Sequence, residues 1–328
     1  MGLSFFAHGA GFTGDGEARL KAKVAIDLEL FDDGKPGVNI RTSSTEMGQG
    51  TFTIMPQIVA DGLSVNMNRV RCPNPDTKFV PDSGPTVASR TTMVVGSTLF
   101  DAAIKLKAQM EAYASEAFFG GAPAELNEHF FKNTYTNETI PFERVADRLI
   151  KEKGPQRVYN QFKLPPQIRW DQRTFVGDSY PSYSWGCNVA EVEVNPLTLE
   201  IKVKKVTSFW DIGRVINPVL AKGQIEGGLT QALGFALMEK MGIKDGLFDA
   251  SRMQTYVVPT ALDTPEMSID FLEFPFTGTA LGAKGVGEVP IDGLAPAIAN
   301  AVESATGVRI NELPITPEKL LSKLGAVV

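Results

Sequence analysis

Alternating hydrophobic and polar residues in two parts of the chain predict two β-hairpins. In the first half, KVAIDLELF and VNIRTSS flank the turn sequence DDGKPG over residues 23–44. In the second half, AEVEV and EIKVKKVTSFW flank NPLT over residues 190–210. A period of two is typical of strands with one buried face, and Gly, Pro, Asn and Asp clusters are typical of turns.

Apolar runs of helical length follow each hairpin. We expect helices over residues 51–63, 86–119, 222–241 and 291–307. Gly96 interrupts the second of these runs, and Gly307 is a stop signal for the last. A short strand is expected near residues 68–72. Residues 120–165 are polar, and we expect irregular structure there.

Both halves therefore share the order hairpin, Gly-rich loop and helix, which predicts an α+β fold with two similarly built lobes. We expect the first lobe over residues 1–165 and the second over residues 166–328. The alternation of single strands and helices that characterises a dinucleotide-binding domain is absent, and no G-x-G-x-x-G follows a strand.

Composition narrows the function classes. The net charge of −6 argues against nucleic acid as the main partner. The two cysteines, Cys72 and Cys187, are too few for an iron–sulfur cluster, and the two histidines, His8 and His129, exclude a His-rich metal site. A metal would therefore arrive within a cofactor. The first 17 residues lack a basic region and a long apolar core, so we expect a cytoplasmic location.

Three Gly-rich loops precede predicted helices: TEMGQG (45–50), SGPTVASRTT (83–92) and GAKGVGEVP (282–290). Unpaired backbone N–H groups at a helix start bind anions, so three such loops suit a large phosphorylated cofactor. Ordinary roles remain open for each loop, because turn glycines, helix caps and solvated charges are common there. Glu288 is either a helix-capping carboxylate or a catalytic base beside a cofactor.

Together with DIGRVINPVLAKGQIEGGLTQALG (211–234), these loops occur in the order found in one enzyme family. The chain resembles the C-terminal half of the molybdenum-binding region of molybdenum hydroxylases, the xanthine dehydrogenase and aldehyde oxidase family. Its short start resembles split enzymes such as nicotinate dehydrogenase, in which a medium subunit carries this half of the molybdopterin site.

The resemblance implies a role for residues in each loop. Glu288 matches the catalytic base, and Phe5 the phenylalanine that packs against an aromatic substrate, with Phe12 as a rival. The metal itself would be held by the pterin dithiolene rather than by side chains. The implied cofactor-binding residues are Gly48, Gln49, Gly50, Ala88, Ser89, Arg90, Thr91, Gln231, Lys284, Gly285, Val286 and Gly287.

The resemblance also implies an assembly. The family's earlier glycine-rich and arginine-bearing loops are absent from this chain. We therefore expect a larger molybdopterin subunit, an iron–sulfur subunit and a flavin subunit carrying FAD as partners, and no nucleic acid or membrane. The implied cofactor is a molybdenum–pterin in its cytosine dinucleotide form. The implied reaction is hydroxylation of an N-heterocycle such as nicotinate or a purine with water as oxygen source. An aldehyde-oxidising member and a non-catalytic cofactor-holding subunit are the alternatives.

Overall fold

The computed structural model describes residues 1–325, so the last three residues of the expected second lobe lie outside it. The chain forms two compact units, and both are discontinuous in sequence. The terminal unit comprises Met1–His8, Tyr183–Phe274 and Gly285–Val328, and the central unit comprises Gly9–Ser182 and Pro275–Lys284. The boundary expected after residue 165 does not coincide with this division, because the N-terminal strand joins the sheet of the later segment.

The strands are short, except for the long second hairpin. In chain order they are β1 (Gly2–Ala10), β2 (Lys23–Leu30), β3 (Pro36–Arg41), β4 (Val70–Arg71), β5 (Ala124–Asn127), β6 (Phe130–Asn133), β7 (Thr139–Pro141), β8 (Gln156–Gln161), β9 (Trp170–Asp171), β10 (Val176–Gly177), β11 (Ser182–Val194), β12 (Ile201–Asp211), β13 (Ile243–Lys244), β14 (Leu247–Phe248) and β15 (Glu266–Phe271).

The helices include one π-helical turn, Thr91–Gly96, and one 3-10 turn, Met67–Arg69. The α-helices are α1 (Gly16–Leu20), α2 (Thr51–Leu63), α3 (Ser97–Phe118), α4 (Phe142–Lys153), α5 (Pro218–Leu237), α6 (Val289–Asp292), α7 (Leu294–Thr306) and α8 (Pro317–Gly325).

The central unit is built on a four-stranded sheet of order β4-β3-β2-β8. The predicted first hairpin is confirmed, with Ile26 opposite Ile40 in an antiparallel register. Helix α3 packs on β2 and β8, and α2 packs on α3. Leu99 and Leu106 of α3 are fully buried, so this helix covers the apolar side of the sheet and forms its core.

The expectation of irregular structure over residues 120–165 is wrong. Strands β5, β6 and β7 form a small sheet there, and α4 and β8 follow. Helix α4 buries one stripe of residues at spacings of three and four, which is the pattern of an amphipathic helix. The many charged residues between these positions made the pattern hard to recognise in the sequence. The buried stripe is Phe142, Val145, Ala146, Leu149 and Ile150.

The terminal unit is built on a four-stranded sheet of order β1-β11-β12-β15. The second hairpin is confirmed, with Val189 opposite Thr207. Helices α5, α6 and α7 pack with this sheet around fully buried Trp210, Leu229 and Ile298. Both units therefore combine a four-stranded sheet with packed helices, which confirms the α+β fold.

The helices of the terminal unit differ in their bounds from the prediction. The side chain of Asn217 accepts the N–H of Leu220 at 3.1 Å, so α5 begins at Pro218, before the predicted start. Gly293 divides the run predicted over 291–307 into α6 and α7. Gly307 ends α7 with φ 74°, as its sequence position predicts.

Acid should destabilise the central sheet through Asp27. Burial raises the pKa of Asp27, but hydrogen bonds from Arg157 and Arg41 outweigh burial and hold that pKa below its usual value. The unfolded value is about 3.9, so the stabilisation is present above that pH and is lost as pH falls through the lower folded value. We expect the free energy of unfolding, from urea titrations at a series of pH values, to fall in this range. Asp27→Asn should flatten that dependence, and an unchanged acid slope in the variant would contradict the assignment.

Candidate functional site

The loop before α2 is organised by a carboxylate. Oε1 of Glu46 accepts the backbone N–H groups of Gly48 and Gly50 at 2.8 and 2.9 Å, and Oε2 accepts that of Phe52 at 2.9 Å. Burial raises the pKa of Glu46, but the hydrogen bonds from Phe52, Gly50, Gly48 and Met47 outweigh it and lower the net pKa. Glu46 therefore stays ionised at neutral pH and occupies amides that the sequence predicts to be free for an anion.

The side chain of Gln49 is bonded within the same loop. Its Nε2 donates to the Thr45 carbonyl at 2.8 Å and to Oγ1 of Thr51 at 2.9 Å, while Oε1 accepts the N–H of Met47 at 2.6 Å. Both amide hydrogens of Gln49 thus hold the loop in shape. Gly48 has φ 104°, and a Cβ there would meet no atom within 4 Å, so the outer side of its backbone is open.

The first two loops are joined within the central unit. Oγ of Ser83 accepts the N–H of Ser43 at 3.0 Å, and the N–H of Ser83 donates to Oγ of Ser43 at 2.8 Å. Further along both segments, the N–H of Thr45 donates to Oγ1 of Thr86 at 3.0 Å. Residues 45–50 and 83–92 are therefore neighbours, as a shared ligand requires.

Arg90 has a structural role that the sequence does not reveal. Its side chain and that of Glu17 are both 0% exposed, and Nε lies 2.9 Å from Oε1 of Glu17. Nη2 donates to Oε2 of Glu17, and Nη1 donates to the carbonyls of Ser83 and Pro85 at 2.9 and 3.0 Å. Four of the five guanidinium N–H groups therefore have acceptors inside the fold. The side chain is completely buried and anchors the loop, so a phosphate contact from it is not supported.

The backbone of the same loop is strained. Ala88 and Ser89 have φ values of 55° and 49°, in the left-handed region that non-glycine residues rarely occupy. Arg90 follows with φ −93° and ψ −23°, at the start of the π-helical turn that opens with Thr91. The N–H of Arg90 donates to the Val87 carbonyl at 3.3 Å, and backbone strain of this kind clusters at binding sites.

The third loop leads directly to Glu288 in the terminal unit. Oγ of Ser184 on β11 donates to the carbonyl of Gly285 at 2.6 Å and fixes the loop to the sheet. Lys284 ends a segment of the central unit, and Gly285, Val286 and Gly287 belong to the terminal unit.

Glu288 occupies the N-cap position of α6, but its side chain makes no capping hydrogen bond. Its side chain is 49% exposed. Helix capping therefore does not explain the presence of this carboxylate.

A histidine that sequence reasoning left aside lies beside Glu288. Nδ1 of His8 is 2.7 Å from Oδ2 of Asp292, and Nε2 is 3.8 Å from Oε2 of Glu288. His8 lies on β1 and Asp292 ends α6, so 284 residues separate this pair in sequence. No local sequence signal marks such a contact, which only the fold creates.

Phe5 and Gln231 stand apart from this group. On β1, alternate side chains point to opposite faces, and the ring of Phe5 stacks on Trp185 with centroids 5.4 Å apart. His8 points to the other face, so Phe5 lies opposite the group formed by His8, Asp292 and Glu288, and its substrate-packing role stays a prediction. Gln231 is exposed on α5, a helix that packs on α6, where Gly228 meets Pro290.

Residues 1–325 contain neither a metal-ligand cluster nor a membrane-spanning helix. No group of three or more His, Cys, Asp or Glu side chains in this range has the arrangement of a metal site. In the same range, no helix has the length and apolar character needed to cross a membrane.

Residues 1–265 match the molybdopterin cofactor-binding domain. The match includes the loops at 45–50 and 83–92 and the helix α5, and it ends before the loop that carries Glu288.

Curated relatives extend the similarity. The chain is 31% identical to a putative xanthine dehydrogenase molybdenum-binding subunit of Escherichia coli over 86% of this chain and 37% of that protein. It is 28% identical to the nicotine 6-hydroxylase large subunit of Paenarthrobacter nicotinovorans over 98% of this chain and 40% of that protein. The chain therefore spans about two fifths of the length of these relatives.

A solved structure confirms the fold. Quinoline 2-oxidoreductase from Pseudomonas putida superposes with a TM-score of 0.83 at 24% identity, over 99% of this chain and 41% of that chain.

Proposed function

The chain belongs to the molybdopterin cofactor-binding family, and from this premise we propose that it is the smaller molybdopterin-binding polypeptide of a molybdenum hydroxylase. One observation carries the proposal of a catalytic role. Glu288 is a half-exposed carboxylate at the end of a glycine-rich loop, and it does not cap the helix that it precedes. A non-catalytic cofactor-holding subunit has no need of such a group.

The described residues leave room for a pterin cofactor beside two loops of the central unit. The backbone of Gly48 is open on one side although its N–H is bonded to Glu46, and Ala88 and Ser89 hold the second loop in the left-handed conformation that clusters at binding sites. Buried Arg90 and Glu17 hold the second loop in this conformation. The residues that would contact the cofactor are Gly48, Gln49, Gly50, Ala88, Ser89, Thr91, Gln231, Lys284, Gly285, Val286 and Gly287.

The role of this chain in the reaction is proton transfer and positioning. When bound, the molybdenum cofactor supplies a two-electron oxidant for the hydroxylation of substrate with oxygen from water. Glu288 accepts the proton released as water becomes the nucleophile. General-base assistance of this kind contributes about 10²–10⁴-fold in rate. The hydrogen bond from Ser184 to the Gly285 carbonyl holds the loop that leads to this carboxylate against the sheet.

An N-heterocycle is the proposed substrate class. The relatives named above include a nicotine hydroxylase subunit, a xanthine dehydrogenase subunit and a quinoline oxidoreductase, whose names all specify nitrogen heterocycles. An aldehyde substrate is the second candidate, since an aldehyde oxidoreductase molybdenum-binding subunit of Escherichia coli is 31% identical over 89% of this chain. The cytosine dinucleotide form of the cofactor and a cytoplasmic location stay predictions.

A larger molybdopterin polypeptide is the proposed partner. One face of the terminal sheet suits such a partner. Phe5 and Trp185 stack there at 68% and 42% exposure. Apolar patches of this kind mark protein interfaces. We define the exposed aromatic face as Leu3, Phe5, Tyr183, Trp185, Phe209 and Leu272. Iron–sulfur and FAD-containing subunits would then carry the electrons away.

Assembly provides the test of this proposal. Co-expressed with the larger molybdopterin polypeptide, the chain should sediment as a complex that contains molybdenum and pterin in about equal amounts. Trp185→Ser should weaken the complex about 30-fold, the loss expected for a buried aromatic anchor. Phe79→Ser is the matched control, because Phe79 is 57% exposed but lies in the central unit. A chain that sediments alone, or a complex without molybdenum, would contradict the proposal.

A further inference from the structure

One face of strand β1 follows helices α7 and α6 as far as Glu288. Gly2 lies against the backbone of α7, where a Cβ would overlap Ala297 and Ala301. Oγ of Ser4 donates to the carbonyl of Gly293 at 2.5 Å.

The next two residues on this face continue the contact. The ring of Phe6 packs against the backbone of Gly293, so closely that a Cβ on Gly293 would overlap the ring. Every second residue of β1 thus fixes the strand on these helices, and His8 is the next in the series. The position of His8 beside Asp292 is therefore set by packing.

The partners of His8 determine which nitrogen carries a proton. A carboxylate only accepts hydrogen bonds when it is ionised, so Nδ1, at 2.7 Å from Asp292, is the protonated nitrogen. In the neutral ring, Nε2 is then the unprotonated nitrogen, and it lies 3.8 Å from Oε2 of Glu288. This arrangement is unfavourable for two unprotonated groups, and it becomes favourable as soon as one proton lies between them.

We propose that His8, oriented by Asp292, takes the proton from Glu288 and passes it to solvent. The proposal rests on the catalytic role proposed for Glu288. The O–H bond of protonated Glu288 breaks, a bond from Nε2 of His8 to that proton forms, and no electrons are exchanged. The Asp292 carboxylate, 2.7 Å from Nδ1, stabilises the imidazolium, as an aspartate does for a histidine in a hydrolase triad.

Distance and exposure suit this transfer. Proton transfer needs about 2.6–3.2 Å between heavy atoms, or one intervening water. Nε2 of His8 and Oε2 of Glu288 lie 3.8 Å apart, so the transfer needs this separation to shorten by about 0.6 Å. His8 is 32% exposed, so its proton can reach solvent. His8 is therefore a positioning and proton-accepting residue that returns the base to its ionised form.

Chemical rescue in the assembled enzyme tests the proposal. We expect His8→Ala to lower turnover about 10- to 100-fold, the effect common for outer partners of a reacting group. Added imidazole should restore this loss, because a small base can replace a proton acceptor but not a packing contact. His129→Ala is the matched control, since His129 also binds a carboxylate, Glu143, at 2.8 Å but lies in the central unit. Its turnover should be unchanged.

A second readout does not depend on activity. The chain has two histidines, and their partners predict opposite tautomers. Nδ1 of His129 accepts the N–H of Asn66 at 3.2 Å, so Nε2 carries its proton. ¹⁵N NMR of the full histidine-labelled chain at about pH 9, above the ordinary histidine range, should show Nδ1–H for His8 and Nε2–H for His129. Asp292→Asn should abolish the Nδ1 preference of His8.

The outcomes separate this inference from the function on which it rests. If Glu288→Gln abolishes turnover while His8→Ala retains it, the relay is wrong and the base remains. A loss in His8→Ala that imidazole does not restore, or an Nε2–H tautomer for His8, also overturns the relay. If Glu288→Gln retains full turnover, the proposed function itself fails.

Discussion

Glu288→Gln should lower turnover of the assembled enzyme by about 10²–10⁴-fold while molybdenum and pterin contents remain those of the wild type. Glutamine keeps the size and reach of the side chain but cannot accept a proton. The side chain of Glu288 makes no capping hydrogen bond, so the substitution removes no cap from α6. A loss of rate without a loss of cofactor is the expected signature of a missing base.

The control for this variant is another carboxylate of the same unit. Glu266 is 71% exposed and pairs with Lys205 at 3.0 Å on the terminal sheet. Glu266→Gln should change stability by about 1 kcal/mol or less, as for surface ion pairs in general, and leave turnover unchanged. Wild-type turnover in Glu288→Gln would instead identify Glu288 as an ordinary solvated carboxylate.

Glu17→Gln should destabilise the fold by about 3–5 kcal/mol, because it leaves the charge of Arg90 buried without a counterion. The two side chains are completely buried, and Glu17 also accepts the N–H of Phe12 at 3.1 Å. The midpoint of urea unfolding should fall accordingly. The loop at 83–92, which we propose contacts the cofactor, depends on this ion pair, so molybdenum content should fall as well.

An exposed ion pair close in sequence supplies the comparison. Arg19 pairs with Asp15 at 2.8 Å, and their side chains are 64% and 39% exposed. Arg19→Met should cost about 1 kcal/mol or less, because solvent screens this pair. Equal effects of Glu17→Gln and Arg19→Met on the unfolding midpoint would show that the buried pair does not anchor the loop.

The elements predicted correctly have strong local patterns. The two hairpins alternate apolar and polar residues, and α2 and the end of α7 coincide with their predicted bounds. Residues 120–165 were missed because their apolar residues are isolated among charges, and β5–β7 have only three or four residues each. For such short strands, pairing with neighbours determines the structure more than local preference does.

The candidate site likewise combines features set by local sequence with features set by distant contacts. Its loops are recognisable as motifs, but the state of their polar groups depends on distant residues. Arg90 meets Glu17, 73 positions away, and His8 meets Asp292 across most of the chain. The amides of Gly48 and Gly50 are bonded to Glu46, which lies within the motif itself, yet no sequence pattern indicates that this side chain turns back onto the loop.

Single-turnover mixing tests the role of Glu288 most directly. Wild-type enzyme and Glu288→Gln, matched in molybdenum and pterin content, are mixed with excess substrate, and reduction of the metal centre is followed by absorbance. If Glu288 is the base, reduction slows by about 10²–10⁴-fold, the same factor as turnover, because the lost step is chemistry rather than product release. Reduction at the wild-type rate would contradict a catalytic role for Glu288.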